Sequence, residues 1–355
     1  MKNKCFLCPP EFNNLEFDLE HIIPNSIGGR LKSDLIICKT CNNDFGHNLE
    51  ISIAKQFDVI CTTLNIKRER NEPPKIKLKT KEHADDFTIF PGGKTERSIK
   101  TRKIGNKEYL IYYSSLSELE KLKTQISKNR EIVSEKEITE GIPGEVQKFH
   151  TLLFGFSTGN RTSYRAIAKM AAFYYLYCGG LPELIHPISG YIKGIYAANI
   201  VFPYSPESYI NPPPNLENIQ HTIFLTGDFE TKLLWAYIEL FNTFSYAIIL
   251  NRNYIGPNIK SNYSINVMTG EQSTTFPPIE PKLPQKPLKN YIPDMQCRWK
   301  YLAKLVNQKL FFHNIGYKLG NDMYDYTKGT IIDEKIAEDL SNKLFSNEGS
   351  GFQSI

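Results

Sequence analysis

The sequence predicts an α+β protein, in which a small N-terminal metal-bound unit precedes a larger mixed α/β body with C-terminal helices. Three observations support this class. Two Cys-x-x-Cys pairs lie within the first 41 residues. Helix and strand patterns mix along residues 142–275, and a proline-rich stretch then separates them from further helical patterns near the end.

The composition excludes several classes of protein. The chain has 355 residues, of which 41% are hydrophobic and 23% charged, as in ordinary globular proteins. The sequence has no apolar run of the roughly 20 residues that cross a bilayer, and residues 1–11 lack the apolar core of a signal peptide. We therefore expect a cytoplasmic protein with no membrane partner. The net charge of +5 permits a nucleic-acid partner without requiring one.

Four cysteines predict a metal site. Cys5, Cys8, Cys38 and Cys41 form two Cys-x-x-Cys pairs, each of which can place two thiolates on a tight turn. Two such turns together suit the closed tetrahedral geometry of structural zinc. Two redox disulfides or unrelated buried thiols are the alternatives, which the paired spacing and a cytosolic setting disfavour. The scattered thiols are interpreted as buried and unreactive: Cys61, Cys178 and Cys297.

The chain enclosed by these pairs predicts a strand, a loop, a second strand and a helix. Alternating apolar residues indicate a strand over 17–23, and Gly28-Gly29 indicates a loop over 25–30. Residues 35–37 are predicted as the second strand, and residues 41–57 as a helix. The predicted zinc site holds both ends of this unit.

Three short motifs in this unit carry a family resemblance. They are Glu20-His21-Ile22-Ile23-Pro24, then Gly28-Gly29, then Cys38-x-x-Cys41-Asn42. In this order the segment from residue 5 to 57 resembles the HNH endonucleases of the ββα-metal superfamily, in the subgroup with a four-cysteine zinc frame. The resemblance implies a nuclease that hydrolyses phosphodiester bonds with a divalent metal, Mg²⁺ or Mn²⁺, beside the structural Zn²⁺.

The resemblance also implies roles for individual residues. His21 falls on the position of the general base, and Glu20 on a position that binds the catalytic metal. Asn42 falls on the family's final Asn/His position on the helix. His47 is expected as an added metal ligand, and Asn43 stays open as the alternate because it is spaced i, i+4 from His47.

One position departs from the family pattern. The asparagine that steadies the base histidine should precede the second strand, where this chain has Ser33 or Asp34. Asp34 is expected to take that role by accepting a hydrogen bond from one ring nitrogen of His21.

A basic segment follows the unit. Between Lys67 and Lys103 there are twelve basic and six acidic residues, and four lysines alternate with other residues at the period of a strand. Those lysines are Lys75, Lys77, Lys79 and Lys81. They either contact a phosphate backbone or protect an edge strand from aggregation. A meander of short strands is expected from Phe87 to Tyr113.

The rest of the chain predicts an α+β module. The expected elements are a helix at 114–140, a break at 141–144, a strand at 146–156, a helix at 162–178, a strand at 221–225, a helix at 229–240, a strand at 246–250, and helices at 295–312 and 333–345. Arg165, Lys169 and His221 could face a ligand, but solvated charges and a satisfied histidine are the preferred interpretation. The divisions expected are 1–60, 61–141, 142–275 and 276–355.

The sequence thus predicts a metal-dependent HNH endonuclease whose C-terminal region selects or senses the target. Double-stranded DNA is the expected substrate, and a homodimer and a partner protein or nucleotide ligand for the C-terminal region stay open. The resemblance also implies a setting in anti-phage defence or mobile elements. The alternative is a zinc-stabilised nucleic-acid-binding or regulatory protein without cleavage activity.

Overall fold

The N-terminal segment forms a short hairpin followed by a long helix. In this computed structural model, the residues described are 4–9, 11–12, 15–69, 72–79, 86–97, 100–103, 109–112, 160–204, 210–283 and 297–310. Strand β1 (Glu20–His21) pairs antiparallel with β2 (Lys32–Ser33). Helix α1 (Lys39–Phe45) continues through a π-helical turn (Gly46–Glu50) into α2 (Ile51–Thr63). The predicted strand, loop, strand and helix order is confirmed.

The hairpin loop explains the two glycines. A 3₁₀ turn (Asn25–Ile27) ends at Gly28, whose φ of 97° is the left-handed conformation that glycine adopts without strain. A Cβ on Gly29 would lie 1.8 Å from the carbonyl oxygen of Ile23, so no larger residue fits there. The loop therefore folds tightly behind the end of β1.

The second strand of the hairpin was predicted three residues too late. Residues 34–36 form a bend instead, and β2 lies at Lys32–Ser33. Ile36 and Ile37 are buried in the core, whereas Leu35 is 61% exposed. The apolar run that suggested a strand serves packing beside the second cysteine pair, where Phe6 N donates to Ile36 O.

Short strands follow α2, as expected for this part of the chain. They are β3 (Ile76–Lys79), β4 (Asp86–Ile89), β5 (Thr95–Arg97), β6 (Lys100–Lys103) and β7 (Tyr109–Tyr112). The first three form an antiparallel sheet in the order β3-β4-β5, and β6 pairs with β7. Strand β3 is thus an edge strand. The elements predicted at 114–140, 141–144, 146–156 and 333–345 lie outside the described residues.

Helix α3 (Arg161–Tyr177) confirms the helix predicted at 162–178. Asn160 caps it, with its Oδ1 accepting a 2.8 Å hydrogen bond from Ser163 N. The predicted inner side is buried: Ala166, Ile167, Met170, Ala171, Phe173 and Tyr174. A 3₁₀ turn (Pro182–Leu184) and a shorter helix, α4 (His186–Lys193), follow.

The body is built on an antiparallel sheet of six strands in the order β13-β12-β9-β10-β11-β8. The strands are β8 (Val201–Pro203), β9 (Gln220–Asp228), β10 (Leu233–Leu240), β11 (Phe244–Asn251), β12 (Ile259–Asn266) and β13 (Gln272–Ser273). Strands β9 and β11 confirm the predictions at 221–225 and 246–250. Residues 297–310 are helical, as predicted in part.

Strand β10 corrects a helix prediction. The run Leu-Leu-Trp-Ala-Tyr-Ile-Glu-Leu, predicted as helix within 229–240, is a central strand with Ile238 opposite Ile223 on one side and Tyr246 on the other. Ile238 lies in the main core, whereas Tyr237 lies in a second cluster on the opposite face. A strand covered on both faces loses the polar alternation that identifies strands.

The N-terminal unit and the sheet share one hydrophobic core. Phe57 of α2 packs against Phe241 and Phe244, each with ring centroids 5.1 Å apart. His221 of β9 is fully buried, and its Nε2 lies 2.8 Å from Ile27 O in the hairpin loop. Its Nδ1 accepts a hydrogen bond from Phe241 N at 3.1 Å. His221 is thus a satisfied histidine, as predicted, and it joins the two parts.

The scattered thiols differ in exposure. Cys61 is fully buried, as predicted, and Cys178 is half-buried. Cys297 is exposed at the start of helical residues 297–310, so the prediction of a buried thiol is wrong there. In the part of the chain that the structure describes, no helix is both long and apolar enough to span a bilayer.

Candidate active site

The four predicted cysteines converge. Their Sγ atoms all lie within 4.8 Å of one another, with Cys8 Sγ 3.6 Å from Cys38 Sγ and 3.5 Å from Cys41 Sγ. Tetrahedral Zn²⁺ with bonds of about 2.3 Å separates its sulfurs by about 3.8 Å, so the spacing fits zinc. The first pair lies on the turn at residues 5–8 and the second at the start of α1. The cluster is consistent with a structural zinc site.

The closeness of the four sulfurs changes the pKa values of their thiols. A hydrogen bond from Cys41 lowers the pKa of Cys5 to about 4, whereas burial raises the pKa of Cys8 to about 12. The pKa of Cys41 rises because its proton is held by the Cys5 sulfur. Four sulfurs this close cannot all be thiolates by themselves, but a divalent cation removes that repulsion.

Glu20 lies on β1 beside His21, but its carboxylate is buried. Only 4% of the residue is exposed, and its Oε1 accepts a hydrogen bond from the Nζ of Lys169 on α3. The same Nζ donates to Glu50 Oε1 at 2.8 Å. Two carboxylates from the N-terminal unit thus share one ammonium group from the body. The interpretation of Lys169 as a solvated charge is wrong, because the residue is 2% exposed.

Burial and charge act against each other in this triad. Burial raises the pKa of Glu20, although Lys169 opposes the shift. Burial lowers the pKa of Lys169, but the two carboxylates outweigh it and raise the pKa overall, so the ammonium stays charged. Lys169 also lies 5.2 Å from the centroid of the Phe173 ring, which adds a cation–π contact.

His21 is held by a residue that was not predicted. Its Nε2 lies 3.3 Å from Glu69 Oε2, and Glu69 also pairs with Lys32 Nζ at 2.5 Å. Burial lowers the pKa of His21, and Glu69 opposes the shift. The side chain is 19% exposed, so the ring still reaches solvent. The expectation that Asp34 holds His21 is corrected, because the ring contacts Glu69.

The helix candidates lie in different surroundings. Asn42 donates from Nδ2 to Asp18 Oδ2 at 3.1 Å, so its amide is bonded to a residue just before β1. Asn43 is exposed. His47 belongs to the π-helical turn, and its side chain lies outside the described residues. Glu50, at the end of that turn, is the helix residue that meets Glu20 through Lys169, and it is spaced i+7 from Asn43.

Two of these partners left a signal in the sequence. Lys169 is spaced i+3 from Ala166 and i−4 from Phe173, so it lies on the apolar side of α3. A lysine on such a side requires a buried acidic partner. Glu50 lies at i+7 from Asn43 and i+3 from His47, which places the three residues on one face of a helix. Nothing in the sequence pairs Glu69 with His21, because their contact depends on how the chain returns after α2.

The predicted lysine strand is partly described. Lys75 precedes β3 and Lys77 lies within it, and both are exposed. Lys75 Nζ lies 4.5 Å from the centroid of the Phe90 ring. Lys79 lies in β3 with its side chain outside the described residues, and Lys81 lies outside them altogether.

The comparison with protein families identifies the N-terminal unit. A family model described as HNH endonuclease matches residues 5–58. This stretch contains the four-cysteine cluster, Glu20, His21 and Glu50. Residues 5–58 are therefore an HNH endonuclease domain, which implies a phosphodiester hydrolase acting on nucleic acid. Searches of curated proteins and of solved structures found no match to the chain.

Proposed function

We propose that the protein is a metal-dependent HNH endonuclease that hydrolyses phosphodiester bonds, with DNA as substrate and His21 as general base. The observation that carries this proposal is the position of His21. It lies next to Glu20 in the matched domain, partly open to solvent, with Glu69 against its ring. This arrangement is suited to removing a proton from a water molecule beside a phosphate.

The contact with Glu69 determines how His21 can work. If Nε2 carries the proton that faces the Glu69 carboxylate, Nδ1 keeps its lone pair and can accept a proton from water. Because burial lowers the pKa of His21, the ring is mainly neutral near pH 7, as a base must be. Glu69 thus takes the steadying role expected of an asparagine in the family.

A divalent cation, Mg²⁺ or Mn²⁺, would supply charge stabilisation at the leaving oxygen. Its proposed ligands are Glu20 and His47, with Asn43 as the alternate, and Asn42 is proposed to contribute from the start of the helix. Oxygen donors suit these hard cations. The four cysteines would hold Zn²⁺ as a structural frame.

The lysines of β3 are proposed as phosphate contacts: Lys75, Lys77, Lys79 and Lys81. The exposure of Lys75 and Lys77 agrees with this role. The position of β3 at a sheet edge supports the alternative, that the lysines prevent edge-to-edge association.

The larger body is proposed to select or sense the target. Lys169 supports this proposal, since it is a body residue in direct contact with the domain's acidic pair. A homodimer, a partner protein or nucleotide ligand, and a setting in anti-phage defence or mobile elements are parts of this proposal that follow from the family alone.

Plasmid nicking tests the proposed function. Supercoiled DNA is incubated with the zinc-loaded protein in Mg²⁺ or Mn²⁺, and then with EDTA. His21→Ala should abolish nicking, and the matched control His186→Ala should not, because His186 is an exposed histidine at the start of α4. Equal nicking by wild-type protein and His21→Ala would refute the catalytic assignment.

The second candidate function is a zinc-stabilised nucleic-acid-binding protein without cleavage. One observation favours it: the carboxylate of Glu20 is occupied by Lys169 rather than open to a hydrated cation. DNA binding at physiological salt without nicking, in either metal and at any protein concentration tested, would support this second candidate.

A further inference from the structure

The carboxylates of Glu20 and Glu50 converge on a single point, and a cation already lies there. That cation is the ammonium of Lys169, which is 149 residues from Glu20 and 119 from Glu50 along the chain. Its side chain is 3% exposed, against 6% for Glu20 and 25% for Glu50. The position is therefore closed on the Glu20 side and reachable from solvent on the Glu50 side.

The triad brings carboxyl groups from two separate elements to one cation. Glu20 lies on β1 and Glu50 at the end of the π-helical turn, and both contact the same Lys169 Nζ. A divalent cation would neutralise both carboxylates, and oxygen donors of this kind are the ones that Mg²⁺ and Mn²⁺ prefer. The acidic pair thus offers oxygen ligands from two elements at a position that already holds a positive charge.

We propose that Glu50 is a second carboxylate ligand of the divalent cation and that Lys169 occupies the cation's position as a built-in competitor. This inference rests on the proposed nuclease function, because Glu20 is its proposed metal ligand. While Lys169 bonds both carboxyl groups, they are not available to a divalent cation. Cation binding requires the Lys169 side chain to leave, and that couples the metal site to α3.

The surroundings of Lys169 indicate how the coupling works. Helix α3 also contacts the domain through Ser163, whose Oγ lies 3.3 Å from Ser52 Oγ of α2. An ammonium displaced from its two carboxylates cannot stay buried without a partner, so the Lys169 side chain, alone or together with α3, has to move when the cation enters. By reciprocity, a ligand of the body that favours the displaced position of Lys169 raises the affinity for the cation.

Manganese binding tests this competition without relying on cleavage. Zinc-loaded full-length protein is titrated with Mn²⁺, and free Mn²⁺ is measured by electron paramagnetic resonance. Lys169→Met removes the charge while keeping the length of the side chain, and it should bind Mn²⁺ at least tenfold more tightly than wild type. Adding Glu50→Gln to Lys169→Met should abolish this gain.

Two further variants distinguish a change at the cation site from a variant that has misfolded. Lys169→Gln keeps hydrogen-bonding capacity without the charge and should change the affinity in the same direction as Lys169→Met. Lys55→Met removes an exposed lysine of α2 outside the triad and should bind Mn²⁺ as wild type does. Zinc content and circular dichroism identify any variant that has not folded, and the conclusion is then drawn from the other Lys169 variant.

The outcomes separate this inference from the proposed function. Unchanged Mn²⁺ affinity in both Lys169 variants, or a gain that survives Glu50→Gln, overturns the inference even if nicking depends on His21. A gain in affinity that requires Glu50, in a protein that does not nick DNA, upholds the cation site and refutes the nuclease.

Discussion

Two clusters of the HNH domain differ in where their parts come from. The four clustered cysteines all lie between residues 5 and 41, inside the matched segment. The acidic and histidine cluster begins in the same segment, but it is completed by Lys169 of α3 and by Glu69 beyond the matched range. The metal frame is therefore local, whereas the candidate active site depends on the rest of the chain.

This difference determines what each cluster needs in order to form. A site whose parts are all local forms whenever the segment folds around zinc. A site completed from a distant helix forms only in the context of the body, so the body can affect its chemistry without touching substrate. Three predictions test this contrast, in order from the largest expected effect to the smallest.

Replacement of one of the four cysteines should release the zinc and unfold the segment around it. Cys38→Ser removes one of four ligands, and structural zinc contributes free energy on the order of 10 kcal/mol to the fold around it. We expect zinc to fall from about one per chain to near zero, with hydrogen exchange protection lost in residues 17–45. Strands β9–β11, which have a second core cluster of their own, should keep more of their protection.

The control for this change is Cys297→Ser, which replaces an exposed thiol outside the cluster. It should keep its zinc and its melting temperature. Retention of one zinc by Cys38→Ser, measured by mass spectrometry of the metal, would show that the frame is not built from these four residues.

The contact of His221 with the hairpin loop, which joins the HNH domain to the body, should make the stability of the fold sensitive to acid. Burial lowers the pKa of His221 to about 4, so the folded protein keeps this ring neutral while the unfolded chain protonates it near pH 6.5. The stability contribution is complete above about pH 6.5 and is lost as the pH falls towards 4. The loss amounts to roughly 3 kcal/mol at about 1.4 kcal/mol per pKa unit.

Denaturant unfolding at several pH values measures this effect. His221→Gln should be less stable near pH 7 but lose less stability between pH 6.5 and 4 than wild type. His186→Gln, which alters an exposed histidine, should follow the wild-type curve. Parallel curves for His221→Gln and wild type would mean that acid acts elsewhere, for example on the cysteine cluster.

The sequence predicted what is encoded locally. The cysteine pairs, the Glu20-His21 pair and the Gly-Gly loop are short motifs, and helix α3 has an apolar side visible in its spacing. Strand β10 was missed because burial on both faces removes its alternation. Strand β2 was misplaced because Ile36 and Ile37 are apolar for packing in the core and not for pairing in a strand.

The contacts of the candidate site could not be predicted in the same way. Glu69 reaches His21 only because the chain after α2 returns to the hairpin, where Glu69 N donates to Asn25 Oδ1 at 3.0 Å. Lys169 reaches Glu20 only because α3 packs against the domain. Both depend on tertiary structure, which the periodicity of a segment does not encode.

The smallest expected effect concerns Glu69, whose contact with His21 belongs to the candidate active site and not to the cysteine cluster. Glu69→Gln keeps the shape of the side chain but removes the charge that faces His21 Nε2 and Lys32. Partners of this kind are worth roughly 10- to 100-fold in activity, so we expect a fall in kcat of about tenfold. KM for DNA should stay the same, because the proposed role of Glu69 is to orient His21 and not to bind substrate.

Glu69→Asp distinguishes orientation from simple structural support, because it restores the charge at a shorter reach and should recover part of kcat. Glu72→Gln is the matched control, since Glu72 is exposed and lies only three residues further along. Zinc content should not change in any of the three variants, because the cysteine frame takes nothing from this part of the chain. If Glu69→Gln lost zinc as well as activity, the frame and the candidate site would be one cooperative unit, and the contrast between a local frame and a composite site would fail.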